Sequence, residues 1–126
     1  MIIREIRRGD PDLHAFAGKH RLFFHAQSWT SCFDERLKQC VILNKNEELI
    51  GCFLYFDFRK AGFRFIITPP WTPDVSLFYV NPAESPVGRN SFVKDLMRAM
   101  ADYFSGQKAS HISLNLPGEI ADTQPF

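Results

Sequence analysis

The sequence predicts an α/β protein with a mixed, mostly antiparallel sheet flanked by helices. One observation is the order of elements along the chain: a strand, two helices, a meander of three or four strands, a long helix and a final strand. The other is a central strand that is apolar on both faces, so helices are expected to cover both sides of the sheet. Because the final strand follows a helix, its crossover predicts one parallel pair in an otherwise antiparallel sheet.

The first third of the chain predicts one strand and two helices. Ile2–Ile6 alternates weakly and forms the strand. Asp10, Pro11 and Asp12 form a helix start, with Asp10 as N-cap and Pro11 at the first helical position. Gly18 is expected to stop that helix. Ser28 can cap a second helix, whose apolar face recurs every three or four residues. This face is built from Trp29, Phe33, Leu37 and Cys40.

The middle of the chain predicts the antiparallel meander. Val41–Leu43 is a short strand, and a polar turn leads to a long aromatic strand that begins at Leu49. The side chains of this strand alternate: Cys52, Leu54, Phe56 and Phe58 point one way, and Phe53, Tyr55 and Asp57 point the other. A basic turn precedes a return strand from Phe63, which Pro69–Pro73 interrupts before extended structure resumes over Val75–Val80.

The last third predicts a helix and a strand. Asn81–Asn90 is a loop, and the longest helix runs from about Ser91 to Phe104, with Gly106 at its end. His111–Leu116 alternates as a strand, which directs Ile112, Leu114 and Leu116 inward. No element is predicted over 119–126.

Composition limits the possible functions. A chain of 126 residues is long enough for one domain, which we predict over residues 1–126. With a net charge of +1, the protein as a whole has no positive electrostatic field that would attract nucleic acid. RNA binding through local basic clusters is therefore only a third hypothesis. Three cysteines without a CxxC pair, and no apolar run of membrane-spanning length, predict a reduced, cytoplasmic protein. The histidines lack ligand spacing, so no metal site is expected.

Two segments are candidates for a functional site. Gly88, Arg89 and Asn90 precede the long helix, where backbone N–H groups and an arginine can bind a phosphate, although an ordinary helix-entry loop is the better explanation of these residues alone. Trp71 is fixed between prolines at a strand interruption, which suits the wall of a cleft. Four carboxylates are possible general bases, and the catalytic residue stays unassigned because nothing selects among them. They are Asp57, Asp74, Glu84 and Asp95.

Several short motifs are shared with a known family. They are Phe23-Phe24-His25 with Trp29, Gly51, Pro69–Pro73, Leu114–Pro117 and Asp122–Phe126. With the order of elements, they resemble the GNAT (acyl-CoA N-acyltransferase) superfamily, and within it the bacterial FemAB-like group. The resemblance implies a GNAT-like sheet that lacks the C-terminal strands, because chains of the family continue beyond the position of Phe126.

The resemblance implies transfer of an acyl group to an amine. Acetyl-CoA or another acyl-CoA would be the donor, or aminoacyl-tRNA as in the FemAB-like enzymes of peptidoglycan crossbridge synthesis. Gly88, Arg89 and Asn90 would hold the donor's phosphate, and Trp71 and Asn115 would line the cleft for a small-molecule or peptide amine. The family's cofactor loop has Gln or Arg and a second Gly or Ala where this chain has Ser85 and Asn90.

An alternative is a catalytically inactive GNAT-like half-domain that serves protein–protein association. A final strand without downstream neighbours would expose backbone and apolar surface. We therefore expect either a homo-oligomer or pairing with a missing C-terminal half.

Overall fold

Residues 1–117, which the computed structural model describes, form one six-stranded sheet with three helices and a 3-10 turn. In chain order the elements are β1 (Ile2–Ile6), α1 (Pro11–His20), the 3-10 turn (Phe23–His25), α2 (Gln27–Thr30), β2 (Leu37–Leu43), β3 (Leu49–Lys60), β4 (Phe63–Ile67), β5 (Phe78–Tyr79), α3 (Pro86–Gly106) and β6 (His111–Ser113). Within this range, no helix is long and apolar enough to span a membrane.

The sheet has the mixed topology that the sequence predicts. Its strand order is β1-β2-β3-β4-β6, and β5 pairs with β3 off this path. Every pairing is antiparallel except that of β4 with β6, which is parallel because α3 makes the crossover between them. One side of β3 therefore carries two partners: β4 pairs with its end and β5 with its beginning.

The core lies on both faces of the sheet, as the alternation in β3 predicts. Phe53 and Tyr55 are fully buried in the layer between the sheet and α3. Cys52 packs on the opposite face with Leu13 of α1, and Leu54 packs on that face beside the residues of the 3-10 turn and the α2 region. Helices thus cover both faces, which explains why the buried part of this strand, residues 51–56, carries no charged side chain.

Helix α1 begins as predicted but ends later. The Asp10 carboxylate accepts the backbone N–H groups of Asp12 at 3.0 Å and of Leu13 at 3.1 Å, and Pro11 occupies the first turn. The helix passes through Gly18 and ends at His20, so the predicted stop is wrong. Arg21 instead adopts the left-handed conformation, with φ of 55°, and closes the helix.

The predicted second helix is mostly wrong. Helix α2 ends at Thr30, and Leu37 and Cys40 belong to β2 instead of continuing the helix. The guanidinium of Arg8 donates to four backbone carbonyls of this region, which stabilises an irregular loop where a longer helix would have used those carbonyls itself. The carbonyls belong to Thr30, Phe33, Asp34 and Leu37.

Helix α3 begins five residues before the predicted start. Pro86 is its first residue, and the Ser85 hydroxyl caps it by accepting the N–H of Gly88 at 3.0 Å. The serine–proline pair is a helix-start signal that the sequence interpretation assigned to a loop. Gly88, Arg89 and Asn90 consequently lie in the first helical turns and not in the predicted loop.

The last strand is shorter than predicted. β6 ends at Ser113, and Ile112 remains 39% exposed although it was expected to point inward. Within residues 1–117, its strand has a neighbour on one side only, so it lies at the edge of the sheet. Leu114 and Leu116 do pack against the core. The predictions for residues 119–126 and the Asp122–Phe126 motif lie outside the described residues.

Candidate functional site

Between β4 and β5 the chain makes an excursion out of the sheet. Phe56 pairs with Ile67 and Cys52 with Phe78, so four steps along β3 correspond to eleven along its partner. The residues of this excursion include Pro69–Pro73, where the sequence predicts an interruption of the strand. Proline has no N–H for the ladder, so the chain leaves the sheet where the prolines begin.

The tip of the excursion is a tight turn that holds Trp71. Pro70 and Trp71 are its central residues, and the Thr72 N–H donates to the Pro69 carbonyl at 3.3 Å. Trp71 has φ of 67°, a conformation that turns of this kind usually assign to glycine. Its side chain is 86% exposed. A bulky residue is thus kept in a strained turn and presented to solvent.

The base of the excursion is bound by Asn115. The Asn115 N–H donates to the Thr68 hydroxyl oxygen at 2.7 Å, and the Asn115 carbonyl accepts the Val75 N–H at 2.9 Å. Thr68 precedes the excursion and Val75 follows its prolines. The structure therefore brings together the two elements that carry the predicted cleft residues, Trp71 and Asn115.

The two segments part immediately beyond this contact. Val80 stays on β3, where its N–H donates to the Ile50 carbonyl at 2.8 Å. Leu116 and Pro117 turn towards the core, where Leu116 packs and Pro117 is buried. Among residues 1–117, the Val75–Asn115 bond is the last backbone hydrogen bond between the two segments. We call the region between residues 78–80 and 115–117, which form no backbone hydrogen bond with one another, the strand gap.

A bulge at Ser76 lies at the point where the gap begins, and it explains why β5 is shorter than the predicted strand over Val75–Val80. Ser76 has φ of 54°. Its N–H donates to the Asp74 carboxylate at 2.6 Å, and its carbonyl lies 2.8 Å from Nε2 of His25. His25 is only 4% exposed, and burial lowers its pKa to about 4 although the bond to Ser76 opposes this. Neither backbone group of Ser76 joins the sheet.

The start of α3 lies beside β5. The rings of Tyr79 and Phe92 are 5.9 Å apart, which places the second turn of the helix against the strand. The connecting loop is fixed by Asn81, whose side chain accepts the Ala83 N–H at 3.0 Å and donates to the Arg89 carbonyl at 3.1 Å. The strand gap and the helix N-terminus thus belong to one region of the molecule.

The first turn of α3 can accept a phosphate after one side-chain rotation. Pro86 has no N–H, and the N–H of Gly88 is donated to the Ser85 hydroxyl. Rotation of that hydroxyl would release the Gly88 N–H. A Cβ at Gly88 would lie 3.0 Å from the Ser85 oxygen and 3.1 Å from the Ala83 methyl, so glycine keeps this turn open. The exposed Arg89 guanidinium donates to the Ala83 carbonyl at 3.3 Å, its one side-chain hydrogen bond within residues 1–117. These groups fit an anion.

Three of the predicted carboxylate candidates have partners in the structure. Asp57 forms a close ion pair with Arg64 at 2.7 Å, and Asp74 accepts the Ser76 N–H. Asp95 pairs weakly with Arg98 at 3.8 Å on the surface of α3. Among residues 1–117, no group of three or more His, Cys, Asp or Glu side chains could hold a metal ion. The region around the gap therefore offers chiefly backbone groups, hydroxyls, Asn115 and aromatic rings.

The part that His25 plays in this region was not predicted from the sequence. His25 belongs to a shared motif and was considered as a metal ligand, but one histidine after two phenylalanines has no informative spacing. The contact joins residues 51 positions apart, which no local pattern reveals. Burial of a histidine beside a strand irregularity becomes visible only in three dimensions.

Comparison with known proteins identifies the fold. No family model and no curated protein matches the sequence. The structure is similar to ribosomal-protein-alanine N-acetyltransferase from Brucella melitensis biovar Abortus 2308, with a TM-score of 0.54, 14% identity, and coverage of 98% of this chain and 86% of that chain. An aminoglycoside acetyltransferase from an uncultured soil metagenomic sample gives a TM-score of 0.49 and 11% identity, over 97% of this chain and 83% of that chain. The predicted GNAT-like fold is confirmed.

Proposed function

We propose that this chain is an N-acyltransferase that transfers an acyl group from acyl-CoA to an amine. The observation that carries the proposal is the strand gap, which begins just beyond the Val75–Asn115 hydrogen bond and lies near the start of α3. A gap between neighbouring strands can admit an extended chain, and a helix N-terminus favours an anionic group. Acyl-CoA combines an extended arm with phosphates. The shared acetyltransferase fold supports the same assignment.

The donor would be held at the start of α3. Gly88 keeps the first turn free of a side chain, and Arg89 extends an exposed guanidinium that can form charge-assisted hydrogen bonds with phosphate. Asn90 is exposed on the same turn and can donate its amide group. The amine acceptor would lie beside Trp71 and Asn115, at the other end of the gap.

The chemistry needs positioning more than a nucleophilic side chain. Acyl-CoA supplies an activated thioester carbonyl; the neutral amine forms the new C–N bond, the thiol leaves and the amine loses a proton. The chain contributes by orienting the acceptor and by excluding water from the gap. A protein of this kind needs no catalytic triad, which agrees with the absence of a nucleophile motif in the sequence.

Calorimetric titration with acetyl-CoA tests the proposal. We expect saturable binding that Arg89→Ala weakens about tenfold or more, since a hydrogen bond to a charged group contributes roughly 1.5–3 kcal/mol. Arg98→Ala is the matched control, because Arg98 is exposed on the same helix and has only a weak ion pair with Asp95. A folded wild-type chain that does not bind acetyl-CoA would overturn the proposal, as would equal losses in the two variants.

Aminoacyl-tRNA is the alternative donor that the FemAB-like resemblance implies. Both donors present phosphates and an acyl ester or thioester, so the same groups of α3 would serve either one. Competition distinguishes them: an aminoacyl-tRNA donor predicts displacement of bound acetyl-CoA by charged tRNA and not by the uncharged form. No displacement by charged tRNA would restrict the proposal to acyl-CoA.

One observation favours the second candidate, association without catalysis. All three residues of β6 are exposed, and within residues 1–117 its outer edge carries no strand. An open edge can pair with a second copy or with a further GNAT-like half. Sedimentation across a concentration series tests this: concentration-dependent dimers together with no acetyl-CoA binding would favour association, whereas a binding-competent monomer would reject it.

A further inference from the structure

We propose that His25 is a positioning residue that holds the Ser76 bulge and thereby fixes the entrance of the strand gap. The effect on acyl-CoA binding rests on the proposed function, whereas the contact between His25 and Ser76 does not depend on any donor. His25 lies 51 positions from Ser76 along the chain, in the 3-10 turn on the opposite side of the sheet from α3.

The pairing of β3 shows what the bulge replaces. Cys52 pairs with Phe78, so a regular antiparallel ladder would bring Ser76 opposite Leu54 and give the Leu54 N–H to the Ser76 carbonyl. The structure differs: the Leu54 N–H donates to the Val75 carbonyl at 2.7 Å. The Ser76 carbonyl has lost its partner in the ladder, and the imidazole of His25 provides a new one at 2.8 Å.

The displacement changes how Val75 faces the gap. In a regular strand the N–H and C=O of one residue point to the same neighbour. Here the Val75 N–H points to Asn115 and its carbonyl to Leu54, on opposite sides. Without the bulge the carbonyl would turn towards residues 115–117 and occupy the side of the strand that faces the gap.

Two side chains hold Ser76 in this arrangement. Asp74 accepts its N–H at 2.6 Å, and His25 binds its carbonyl. A non-glycine residue at φ of 54° persists only where surrounding contacts stabilise it. Asp74 belongs to the same turn and moves with it, whereas His25 is anchored in a separate element and is buried. His25 is therefore the contact that ties the bulge to the rest of the fold.

The hydrogen bond also fixes the tautomer of the imidazole. A carbonyl is an acceptor only, so Nε2 must carry the proton and donate it. Nδ1 is then unprotonated in the neutral ring, and this atom is buried without a partner among the described residues. Because burial lowers the pKa of His25 to about 4, the ring stays neutral and the bond persists at neutral pH.

Three variants separate positioning from a merely structural role. His25→Gln retains an amide N–H that can reach the position of Nε2, His25→Leu removes the donor, and His14→Leu is a control on the exposed face of α1. We expect His25→Leu to weaken acetyl-CoA binding by the folded protein about fivefold or more, and His25→Gln to restore most of the affinity. His14→Leu should bind like the wild type.

Nitrogen NMR of the imidazole provides a readout without ligand. We expect the Nε2–H tautomer, with no titration between pH 5 and 8. The Nδ1–H tautomer, or titration near the ordinary value, would overturn the inference even if acetyl-CoA does not bind and the proposed function fails. If the wild type binds, equal affinities of the folded His25→Leu variant and the wild type would overturn it as well.

Discussion

The hydroxyls of Tyr55 and Tyr103 lie 2.9 Å apart in the layer between the sheet and α3. The Tyr55 hydroxyl donates to the Glu5 carboxylate at 3.3 Å, and the Cys40 thiol donates to the Tyr103 oxygen at 3.4 Å. The remaining proton, that of Tyr103, must therefore be donated to Tyr55. The three hydrogen bonds therefore form one directed chain. Cys40 donates to Tyr103, Tyr103 donates to Tyr55, and Tyr55 donates to Glu5.

Removing one hydroxyl from this chain should destabilise the fold. Burial raises the pKa of both phenols, so both stay protonated and each needs a partner. We expect Tyr55→Phe to lower the free energy of unfolding by about 1–3 kcal/mol, since it leaves the Tyr103 donor without its acceptor. The double variant Tyr55→Phe/Tyr103→Phe should lose less than the sum of the single variants. Urea denaturation measures all three, and additive losses would contradict the coupling.

Acid should weaken the fold through His25. Its pKa is lowered to about 4 by burial, so the unfolded chain binds this proton more readily than the native protein. The stability linked to the group is fully present above about pH 6.5 and is lost as the pH falls towards 4, by roughly 3 kcal/mol. Urea denaturation at pH 7 and pH 4.5 measures the loss. His25→Gln should reduce the difference in unfolding free energy between the two pH values, and His14→Gln, a substitution on the exposed face of α1, is the control.

Trp71→Gly should stabilise the protein although it removes an aromatic ring. The ring is 86% exposed, so little burial is lost, while glycine adopts φ of 67° without steric cost. We expect a gain of up to about 1 kcal/mol, measured by thermal denaturation. If the proposed acceptor site is correct, acetyl transfer to a good amine substrate should fall in the same variant. A lower melting temperature for Trp71→Gly than for the wild type would contradict this prediction, because it would mean that the exposed ring stabilises the fold.

Gly51 should not tolerate a side chain. A Cβ at this position would lie 2.6 Å from the Phe78 carbonyl oxygen and 3.2 Å from the Tyr79 Cα, both of them backbone atoms that cannot rotate away. Gly51→Ala should therefore push β5 off β3 and destabilise the fold by about 1–3 kcal/mol. Gly18→Ala is the matched control: it meets no atom within 4 Å and lies inside α1, where alanine should stabilise by roughly 0.5–1 kcal/mol. Equal effects would contradict the close approach of β5.

Local patterns predicted those parts of the fold whose signals are local. The alternation in β3 gave the correct side for each residue, and the Asp10–Pro11 pair gave the start of α1. The second helix was wrong because Arg8, far away in sequence, binds the carbonyls of the loop that replaces it. An apolar spacing of three or four residues cannot reveal a distant guanidinium, so tertiary contacts overrode the periodicity.

The candidate site was predicted only at the level of segments. The proline break indicated where the chain leaves the sheet, and the structure brings that break to Asn115. The Ser76 bulge could not be predicted, because serine has no marked preference for positive φ and the partner that stabilises it lies in another element. Whether Gly88, Arg89 and Asn90 bind a donor stays a prediction.

Asn115 binds both ends of the excursion between β4 and β5, and this affects which residues can vary during evolution. Thr68 and Val75 are both bound to Asn115, so the tip between them, residues 70–73, can be replaced or lengthened without disturbing the strands on either side. Doubling the length of a flexible loop costs only about 0.6 kcal/mol. If the proposed acceptor site is correct, new acceptor preferences can arise by exchange of this one segment, while selection for a stable sheet acts on different residues.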